Sequence, residues 1–518
     1  MTWRGGRAAE GNRLLSGFRR KANVSSNLTL SVFYTVPMCA SGCEVKRKGG
    51  TKMFRQTALI LLMMFFIISF STCSSSKTGV PYKALHADGQ WIKDSQGRVV
   101  ILRGINAGGD SKIPPFIPFT SETSAAQIKS WGMNFVRYVT VWEGLEPTES
   151  DYNTAYLDDM AKRVNWLTSR GIYVFIDMHQ DLFAREFCGD GAPQWAATGD
   201  PSQLAVPACG QNWFLNYPSP PVEQSFTRFW TDTTLQSHFI DAFKLIAQKF
   251  RNNNMVVGYE LFNEPWNGYF TGSTFEKDYL APFYQKVIDA IRTKDPGAMI
   301  FFEPYVLTGG IPQSNLPPLN RSNLVYAPHF YAIGVTTGGA TNIAAAISGI
   351  DQDLTAVQQK AQELGTPEIL GEFGAAPTTT GTALIQGYYD MLDKHLMGGT
   401  IWDYAVSDTW NNEGMSLVNP DLSERPYVDA VVRPYPMAIA GIPTLISFST
   451  TTGDFRLEFE EDGVRAPTVI SIPPRVYPAG ISVQTSDGVY VTDTASNELY
   501  FTATSSVQKH WIDITPAP

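Results

Sequence analysis

Short stretches that are apolar at every position alternate with longer amphipathic stretches between residues 99 and 402. Uninterrupted apolar strands separated by helices are typical of a parallel sheet buried on both faces. The strands are expected at Val99–Gly104, Phe135–Val139, Tyr173–Met178, Val256–Leu261, Met299–Phe302, Leu324–Ala327, Glu368–Gly371 and Gly399–Trp402. The helices are expected at Ser124–Trp131, Leu157–Arg170, Gln236–Phe250, Phe275–Lys294, Leu354–Leu364 and Thr382–Lys394. Eight strands over this length predict an α/β fold, a closed (β/α)8 TIM barrel, although its fifth and eighth helices are poorly marked.

The pattern changes near Arg433, beyond which apolar and polar residues alternate in short strands punctuated by turn residues. This alternation predicts a small C-terminal β-sandwich. Before the barrel, Asp88–Arg98 predicts a hairpin that covers the barrel floor. We therefore expect an N-terminal extension with a signal segment at 1–73, the barrel at 85–433 and the β-sandwich at 434–518.

Composition indicates a folded protein, because 43% of the residues are hydrophobic and only 17% are charged. The net charge of −9 is unevenly distributed, since residues 1–55 hold eleven basic residues and two acidic ones. The remainder is strongly acidic, which argues against nucleic acid as a partner. The basic N-terminus is better interpreted as a targeting region.

A targeting segment is predicted from Met53. A basic start precedes the uncharged run Leu59–Phe70, and small residues follow that run, as in a secretory signal. Cys73, followed by three serines, also resembles a lipoprotein attachment site. We expect an exported protein, secreted or periplasmic, with a lipid anchor at Cys73 as an open alternative. In an oxidising compartment, Cys188 and Cys209 have the opportunity to form a disulfide.

Polar and aromatic residues follow the apolar runs of six strands, where barrel enzymes carry their active sites. Convergence at one end of successive strands is hard to explain by packing alone. These residues are Arg137, Asp177-Met178-His179-Gln180-Asp181, Asn263-Glu264-Pro265, His329-Phe330-Tyr331, Gly371-Glu372-Phe373-Gly374 and Trp402-Asp403-Tyr404.

Glu264 and Glu372 fit the paired carboxyl groups of glycoside hydrolysis, one protonating the leaving oxygen and the other meeting the developing charge at the anomeric carbon. A separation of about 5–5.5 Å would retain configuration. Glu264 as acid/base needs a raised pKa, whereas Arg137 is the expected partner that favours ionised Glu372. Alternatively, Glu264 is a helix N-terminal residue in an Asn-Glu-Pro turn and Glu372 is a salt-bridged acid.

The remaining candidates surround these two acids. Asn263 is expected to bind the sugar 2-hydroxyl, and Tyr331 to donate to Glu372. His179 and His329 are interpreted as hydrogen-bond supports for substrate or nucleophile, and Trp402 as a stacking floor for a sugar; core packing is the alternative for all three. No metal is expected, because the histidine and cysteine spacing does not match a zinc site.

Together these motifs resemble glycoside hydrolase family five, and within it the endoglycoceramidase group. That closer likeness is carried by Leu102-Arg103-Gly104-Ile105-Asn106 with Ser111-Lys112, by His179–Phe183 with Gly189–Trp195, and by the C-terminal β-sandwich. The resemblance covers about residues 85–518. It implies a retaining barrel enzyme in which Lys112 and Asp181 also bind sugar, and cleavage between an intact oligosaccharide and ceramide.

We therefore expect a glycosphingolipid or another β-glycoside as substrate, no cofactor, contact with a membrane surface, and a monomer. Aromatic and proline-rich loops at Ile113–Phe119 and Trp213–Tyr217 are candidates for an apolar trough that holds the lipid, with ordinary loop packing as the alternative. Other open alternatives are an exo-acting β-glucosidase or glucosylceramidase, a β-glucanase, and a non-catalytic glycolipid-binding surface protein. A further alternative makes the C-terminal domain a carbohydrate-binding module.

Overall fold

The computed structural model of the protein describes residues 83–210, 212–306, 314–332, 342–504 and 506–518. The predicted targeting segment and Cys73 lie outside these residues. The described chain begins with three short antiparallel strands: Leu85–Asp88 (β1), Trp91–Asp94 (β2) and Val99–Val100 (β3). None of the described helices combines the length and apolarity that crossing a bilayer requires.

A sheet of eight parallel strands follows in the described part of the chain, as the sequence predicted. Hydrogen bonds from Tyr326 to Pro367 (2.9 Å) and from Gly371 to Pro328 (3.0 Å) join its two outermost strands, so the sheet closes into a barrel. The strands are Arg103–Ala107 (β4), Phe135–Val141 (β5), Tyr173–His179 (β6), Val256–Glu260 (β7), Met299–Phe302 (β8), Leu324–Tyr326 (β9), Ile369–Phe373 (β10) and Gly398–Ile401 (β11).

Amphipathic helices surround the barrel, and their ends carry local stop signals. The carboxylate of Asp232 accepts from the first free backbone amides of the helix Thr233–Phe250. Gly365 (φ 70°) ends the helix Ile343–Leu364 in the left-handed conformation that glycine adopts without strain. The helices are Glu122–Ser130 (α1), Trp142–Leu145 (α2), Thr154–Thr168 (α3), Pro220–Thr231 (α4), Thr233–Phe250 (α5), Gly272–Phe275 (α6), Ala281–Arg292 (α7), Ile343–Leu364 (α8), Thr379–Lys394 (α9) and Val428–Val431 (α10).

The two helices that the sequence marks poorly are also weak in the structure. Between β8 and β9 the described residues form no helix, and after β11 only a 3-10 turn at Trp410–Asn412 and the four-residue α10 occur. The long segment after β11 is mostly loop, and it lies at the carboxyl end of the strands.

Antiparallel strands form the C-terminal region. They are Tyr435–Ile439 (β12), Ile442–Phe448 (β13), Phe455–Glu460 (β14), Thr468–Ser471 (β15), Ile481–Thr485 (β16), Val489–Asp493 (β17), Glu498–Thr502 (β18) and Lys509–Pro516 (β19). Strands β13-β14-β19-β16 make one sheet, and β12, β15, β18 and β17 belong to another. Apolar side chains of both sheets, including Leu457, Phe501 and Ile512, share one buried core, which gives the predicted sandwich.

The second sheet also contains the N-terminal strands, in the order β1-β2-β3-β12-β15-β18-β17. The hairpin covers the barrel floor as predicted, since Leu85 and Ile92 pack with the inward-facing Phe135 and Phe301. Its continuation into the C-terminal sheet was not predicted. The N-terminal strands that precede the barrel thus share a sheet with the sandwich, and the domain boundary between 433 and 434 stays a prediction.

The single strand predicted at Val99–Gly104 is wrong, because two strands of different sheets occupy this stretch. Val99 and Ile101 point into the sandwich core, whereas Val100 and Leu102 point into the core of the barrel floor. Both faces of the chain are buried here, so the sequence is apolar without interruption although the first barrel strand begins only at Arg103.

Candidate active site

Arg137 lies at the centre of the candidate site. It projects from β5, is fully buried, and contacts carboxylates from three other barrel strands: its guanidinium lies 2.5 Å from Glu372 Oε1, 2.5 Å from Glu260 Oε2 and 3.0 Å from Asp177 Oδ2. Burial acts to lower the pKa of Arg137, but these acids outweigh it and raise that pKa. The Arg137 guanidinium thereby fixes the relative positions of acidic side chains from three strands.

Glu372 lies on β10 with both carboxylate oxygens held. Arg137 donates to Oε1, and the hydroxyl of Tyr331 donates to Oε2 over 2.8 Å. The nearest histidine nitrogen, His329 Nδ1, lies 3.7 Å from the same Oε2. These contacts fix the orientation of the carboxylate, as the sequence suggested for Arg137 and Tyr331.

Glu264 follows β7 in a backbone conformation that residues other than glycine rarely adopt, with φ at 42°. Gln180 Nε2 donates to its carbonyl (3.0 Å), and its own amide donates to Glu303 Oε2 (3.2 Å), which holds the strained turn in place. No described helix begins at this residue. The alternative interpretation of Glu264 as a helix N-terminal residue is therefore wrong.

The two glutamates meet across the barrel mouth. An oxygen of Glu264, a ring nitrogen of His329 and an oxygen of Glu372 all lie within 4.8 Å of one another. His329 Nδ1 is 3.0 Å from Glu264 Oε1. Burial, followed by the negative charge of Asp181, raises the pKa of Glu264 to about 7. Burial lowers the pKa of His329 to about 3, so its ring is neutral at ordinary pH.

Asn263 lies directly beside this pair. Its Oδ1 accepts from Arg137 Nη2 over 2.7 Å, and its side-chain amide donates to the carbonyl of Gln180 over 3.0 Å. The side chain is 1% exposed, so its orientation is set by the protein before any ligand arrives. The structure thus brings Asn263, Glu264, His329, Tyr331 and Glu372 into one cluster.

A second cluster forms around Lys112, which follows β4. Its ammonium lies 2.7 Å from Asp181 Oδ2 and 4.3 Å from the ring centre of Trp402. Burial acts to raise the pKa of Asp181, but Lys112 and His179 outweigh it and lower that pKa to about 2. Trp402 is 2% exposed, and His179 stacks on it with ring centres 5.7 Å apart.

The histidine of this cluster is itself positioned. Asp177 Oδ2 lies 2.7 Å from His179 Nδ1, which leaves Nε2 facing Asp181 at 3.4 Å. His179, Asp181 and Asp190 offer ligand atoms within 4.8 Å of one another, a spacing that a metal ion would also accept. Here the ammonium of Lys112 already supplies a positive charge to Asp181.

Several charged residues of the site were missed in the sequence. Glu260 on β7 and Glu303 after β8 both lie beside Arg137, and Glu303 follows a strand end, so the rule that found Glu372 would also have found it. Glu413 accepts from the indole of Trp402 over 3.0 Å, and the aromatic Trp410, also missed, has its ring centre 3.8 Å from the Lys112 ammonium. Both come from the loop after β11, where no periodicity marks them.

The long loop after β6 borders the Lys112 cluster. A disulfide joins Cys188 to Cys209, with Cα atoms 5.1 Å apart. Beyond it, Trp213 packs edge-on against Trp410 at 4.9 Å, and the hydroxyl of Tyr217 donates to Asp181 Oδ1 over 3.3 Å. Between them, Phe214 and Leu215 are 40% and 49% exposed. The loop therefore anchors on the site while presenting apolar surface to solvent.

Comparison with known proteins gives matches over both structural regions. Residues 93–408 match the family described as Cellulase (glycosyl hydrolase family 5). Residues 433–514 match the Glycoside hydrolase family 5 C-terminal domain. The first match spans most of the barrel and its site.

Among similar proteins, endoglycoceramidase I of Rhodococcus hoagii is 30% identical over 432 residues, which cover 79% of this chain and 83% of that enzyme. A glucosylceramidase of Aspergillus fumigatus is 29% identical over 246 residues, 36% of this chain and 32% of that enzyme. The solved structure of endo-glycoceramidase II from Rhodococcus sp. in complex with ganglioside GM3 superimposes with a TM-score of 0.74 at 30% identity, over 83% of this chain and 100% of that chain. The chain belongs to glycoside hydrolase family 5.

Proposed function

We propose that this glycosidase retains anomeric configuration, with Glu264 as acid/base and Glu372 as nucleophile. The observation that carries the proposal is the approach of the two carboxyl groups to within 4.8 Å around His329. Retaining enzymes place their carboxyl groups about 5–5.5 Å apart, whereas inverting enzymes leave about 6.5–9.5 Å for a water molecule. A directly attacking carboxylate fits this space, and an intervening water does not.

In the first step, Glu372 Oε2 or Oε1 attacks the anomeric carbon while Glu264 transfers its proton to the departing glycosidic oxygen. A glycosyl ester on Glu372 forms and the bond to the leaving group breaks. In the second step, Glu264 removes a proton from water, and the resulting nucleophile releases the sugar from Glu372. The pKa of about 7 suits Glu264 to both directions of proton transfer.

The neighbouring residues support these steps. Arg137 and Tyr331 hold the two oxygens of Glu372, and neutral His329 hydrogen-bonds Glu264. Asn263 is placed to meet the sugar 2-hydroxyl, an interaction that strengthens in the transition state. Because each partner is buried or half-buried and is fixed beforehand by its contacts, little reorganisation is needed at the moment of reaction.

For the substrate, we propose a glycosphingolipid that is cut between its intact oligosaccharide and ceramide. Lys112, His179, Asp181 and Trp402 line the sugar side, where buried polar groups with fixed orientation can hydrogen-bond hydroxyl groups. The exposed Phe214 and Leu215 offer apolar contact for the lipid or the membrane that carries it. The similar endoglycoceramidases support this choice.

The second candidate is an exo-acting glucosylceramidase, which the similarity to the glucosylceramidase of Aspergillus fumigatus favours. Product analysis separates the two. We would incubate the protein with a panel of glycosphingolipids and run Glu264→Gln and Glu372→Gln in parallel. Intact oligosaccharide and ceramide, lost in both variants, support endo cleavage and the two roles. Release of single sugars would instead support the exo-acting glucosylceramidase. Turnover of a lipid-free glucan and of no glycosphingolipid would contradict the proposed ceramide substrate.

We further propose that the protein is exported. The disulfide between Cys188 and Cys209 supports this, because such bonds persist in oxidising compartments. Mass spectrometry of the mature protein tests the proposal. Loss of the segment that begins at Met53 supports export, an added lipid on Cys73 supports an anchored form, and an uncleaved cytosolic chain contradicts both.

A further inference from the structure

The outer face of the four-stranded C-terminal sheet carries a groove remote in sequence from the catalytic pair. Along β14 and β19, alternate residues such as Leu457, Ile512 and Ile514 point into the sandwich core. The residues between them point outward. Strand register sets two of these outward residues, Arg456 and Asp513, in one row across the sheet with Ser447 of β13 and Gln484 of β16.

This row lies in a groove of about 510 Å³, named here the outer-face groove, which Ser482 and Thr515 also line. Ser482 pairs with Thr515 in the next row of the sheet. The side chains of Ser447, Ser482, Gln484 and Thr515 form no side-chain hydrogen bond to any other residue that the structure describes. The groove therefore exposes three hydroxyl groups and one amide whose hydrogen-bonding capacity is unused by the protein.

The charge of the groove is net negative, because Asp454, Glu458 and Asp513 outnumber the guanidinium of Arg456. Arg456 donates to Asp513 over 2.7 Å and to Glu458 over 2.7 Å, and its guanidinium lies 4.9 Å from the ring centre of Trp511. Its Nη2 donates to neither acid. A guanidinium held by two carboxylates and an aromatic ring is a preorganised donor without excess positive charge, so it has no preference for an anion.

We infer that the outer-face groove is a second carbohydrate-binding site that takes a neutral oligosaccharide. A row of hydroxyls, an amide and an oriented guanidinium matches the hydroxyl groups of a sugar chain, which both donate and accept. The carboxylates of Asp454 and Asp513 beside Arg456 disfavour a phosphate or sulfate group. The inference concerns binding alone and does not depend on the proposed reaction.

Calorimetric titration of the full-length chain tests the inference. The Glu372→Gln background prevents turnover, and lactose and cellotetraose are the probes, at concentrations suited to dissociation constants on the order of 1 mM. We expect one class of sites at the barrel mouth and a second in the groove. Gln484→Arg, which fills the groove, and Arg456→Met, which removes its donors, should each abolish the second class and leave the first.

Both substitutions lie on a solvated face, where exposed ion pairs contribute little to stability, so the sandwich should keep its melting temperature. Tyr490→Ala is the matched control, because Tyr490 is 44% exposed on the edge strand of the other sheet. It should retain both classes of sites. A titration that both groove variants leave unchanged for both sugars overturns the inference, as does loss of the second class in Tyr490→Ala.

Discussion

The hydroxyl of Tyr331 donates to Oε2 of Glu372 over 2.8 Å, the oxygen that Arg137 does not hold. If Glu372 attacks through the proposed mechanism, this bond orients the nucleophile. Tyr331→Phe removes a hydrogen bond to a charged group, which contributes about 1.5–3 kcal/mol. We expect kcat to fall about 10- to 100-fold with KM nearly unchanged.

Steady-state kinetics on a glycolipid and on a soluble aryl glycoside check this prediction. A melting temperature equal to that of the unchanged protein serves as the folding control. Unchanged kcat on both substrates would show that the Tyr331 bond does not act on the nucleophile.

The pKa of Glu264, raised to about 7 by burial and then by Asp181, predicts the alkaline limb of the pH profile. The acid must be protonated to assist the leaving group, so kcat/KM should decline as pH rises through about 7. A substrate with a good leaving group, such as a dinitrophenyl glycoside, needs little protonation. With this substrate, kcat/KM of the unchanged protein should no longer decline above pH 7, and neither should that of Glu264→Gln. An equal decline for the unchanged protein on both substrates and for Glu264→Gln on the dinitrophenyl glycoside would contradict the assignment.

Glu413 predicts an effect of pH on stability. Burial raises its pKa to about 7 in the folded protein, from an ordinary value of 4.5. The folded state therefore binds a proton more tightly than the unfolded state, and stability is lost as pH rises from about 4.5 through about 7. Glu413→Gln keeps an acceptor for Trp402 but removes the titration, so it should unfold at higher urea concentration than the unchanged protein at pH 8.

At pH 4.5 the difference between the two proteins should nearly vanish, because both side chains are then neutral in the folded state. Equal urea midpoints for Glu413→Gln and the unchanged protein at pH 8 would count against the burial of an ionised Glu413.

The exposed Phe214 and Leu215 predict a dependence on how the substrate is presented. Replacing both with serine removes apolar contact that is expected to be buried against lipid, where one large side chain contributes about 1.5–3 kcal/mol. We expect kcat/KM on vesicle-borne glycolipid to fall at least about 10-fold, and activity on a soluble aryl glycoside to stay constant. Val489→Ser with Val491→Ser, at positions 70% and 67% exposed on β17, is the control and should change neither rate.

Much of the candidate site could be predicted because it obeys one rule. Residues that follow apolar strands meet at one end of a parallel barrel, and this rule is enough to group Arg137, Glu264, His329, Tyr331 and Glu372 from their positions in the sequence. The conformation of Glu264 needed more than the rule. The left-handed backbone of the Asn-Glu-Pro turn depends on contacts from Gln180 and Glu303, which are distant in sequence.

Other features carry no local signal. Glu413 and Trp410 reach the site from an irregular loop, so only the folded chain shows that they surround Lys112 and Trp402. The division of Val99–Gly104 between two sheets was hidden for a different reason. When both faces of an extended chain are buried in separate cores, periodicity disappears and the change of sheet leaves no mark in the sequence.

The pairing of β3 with β12 has a consequence for how the molecule is made. Strand β3 finds its second sheet partner, β12, only after the whole barrel sequence has been synthesised, since Val100 lies opposite Ala438. Until then the apolar edge of β3 stays open, and an open edge invites wrong partners. A chain cut between barrel and sandwich would keep that edge open permanently, so the two regions, which match separate domains of glycoside hydrolase family 5, depend on each other to complete one sheet.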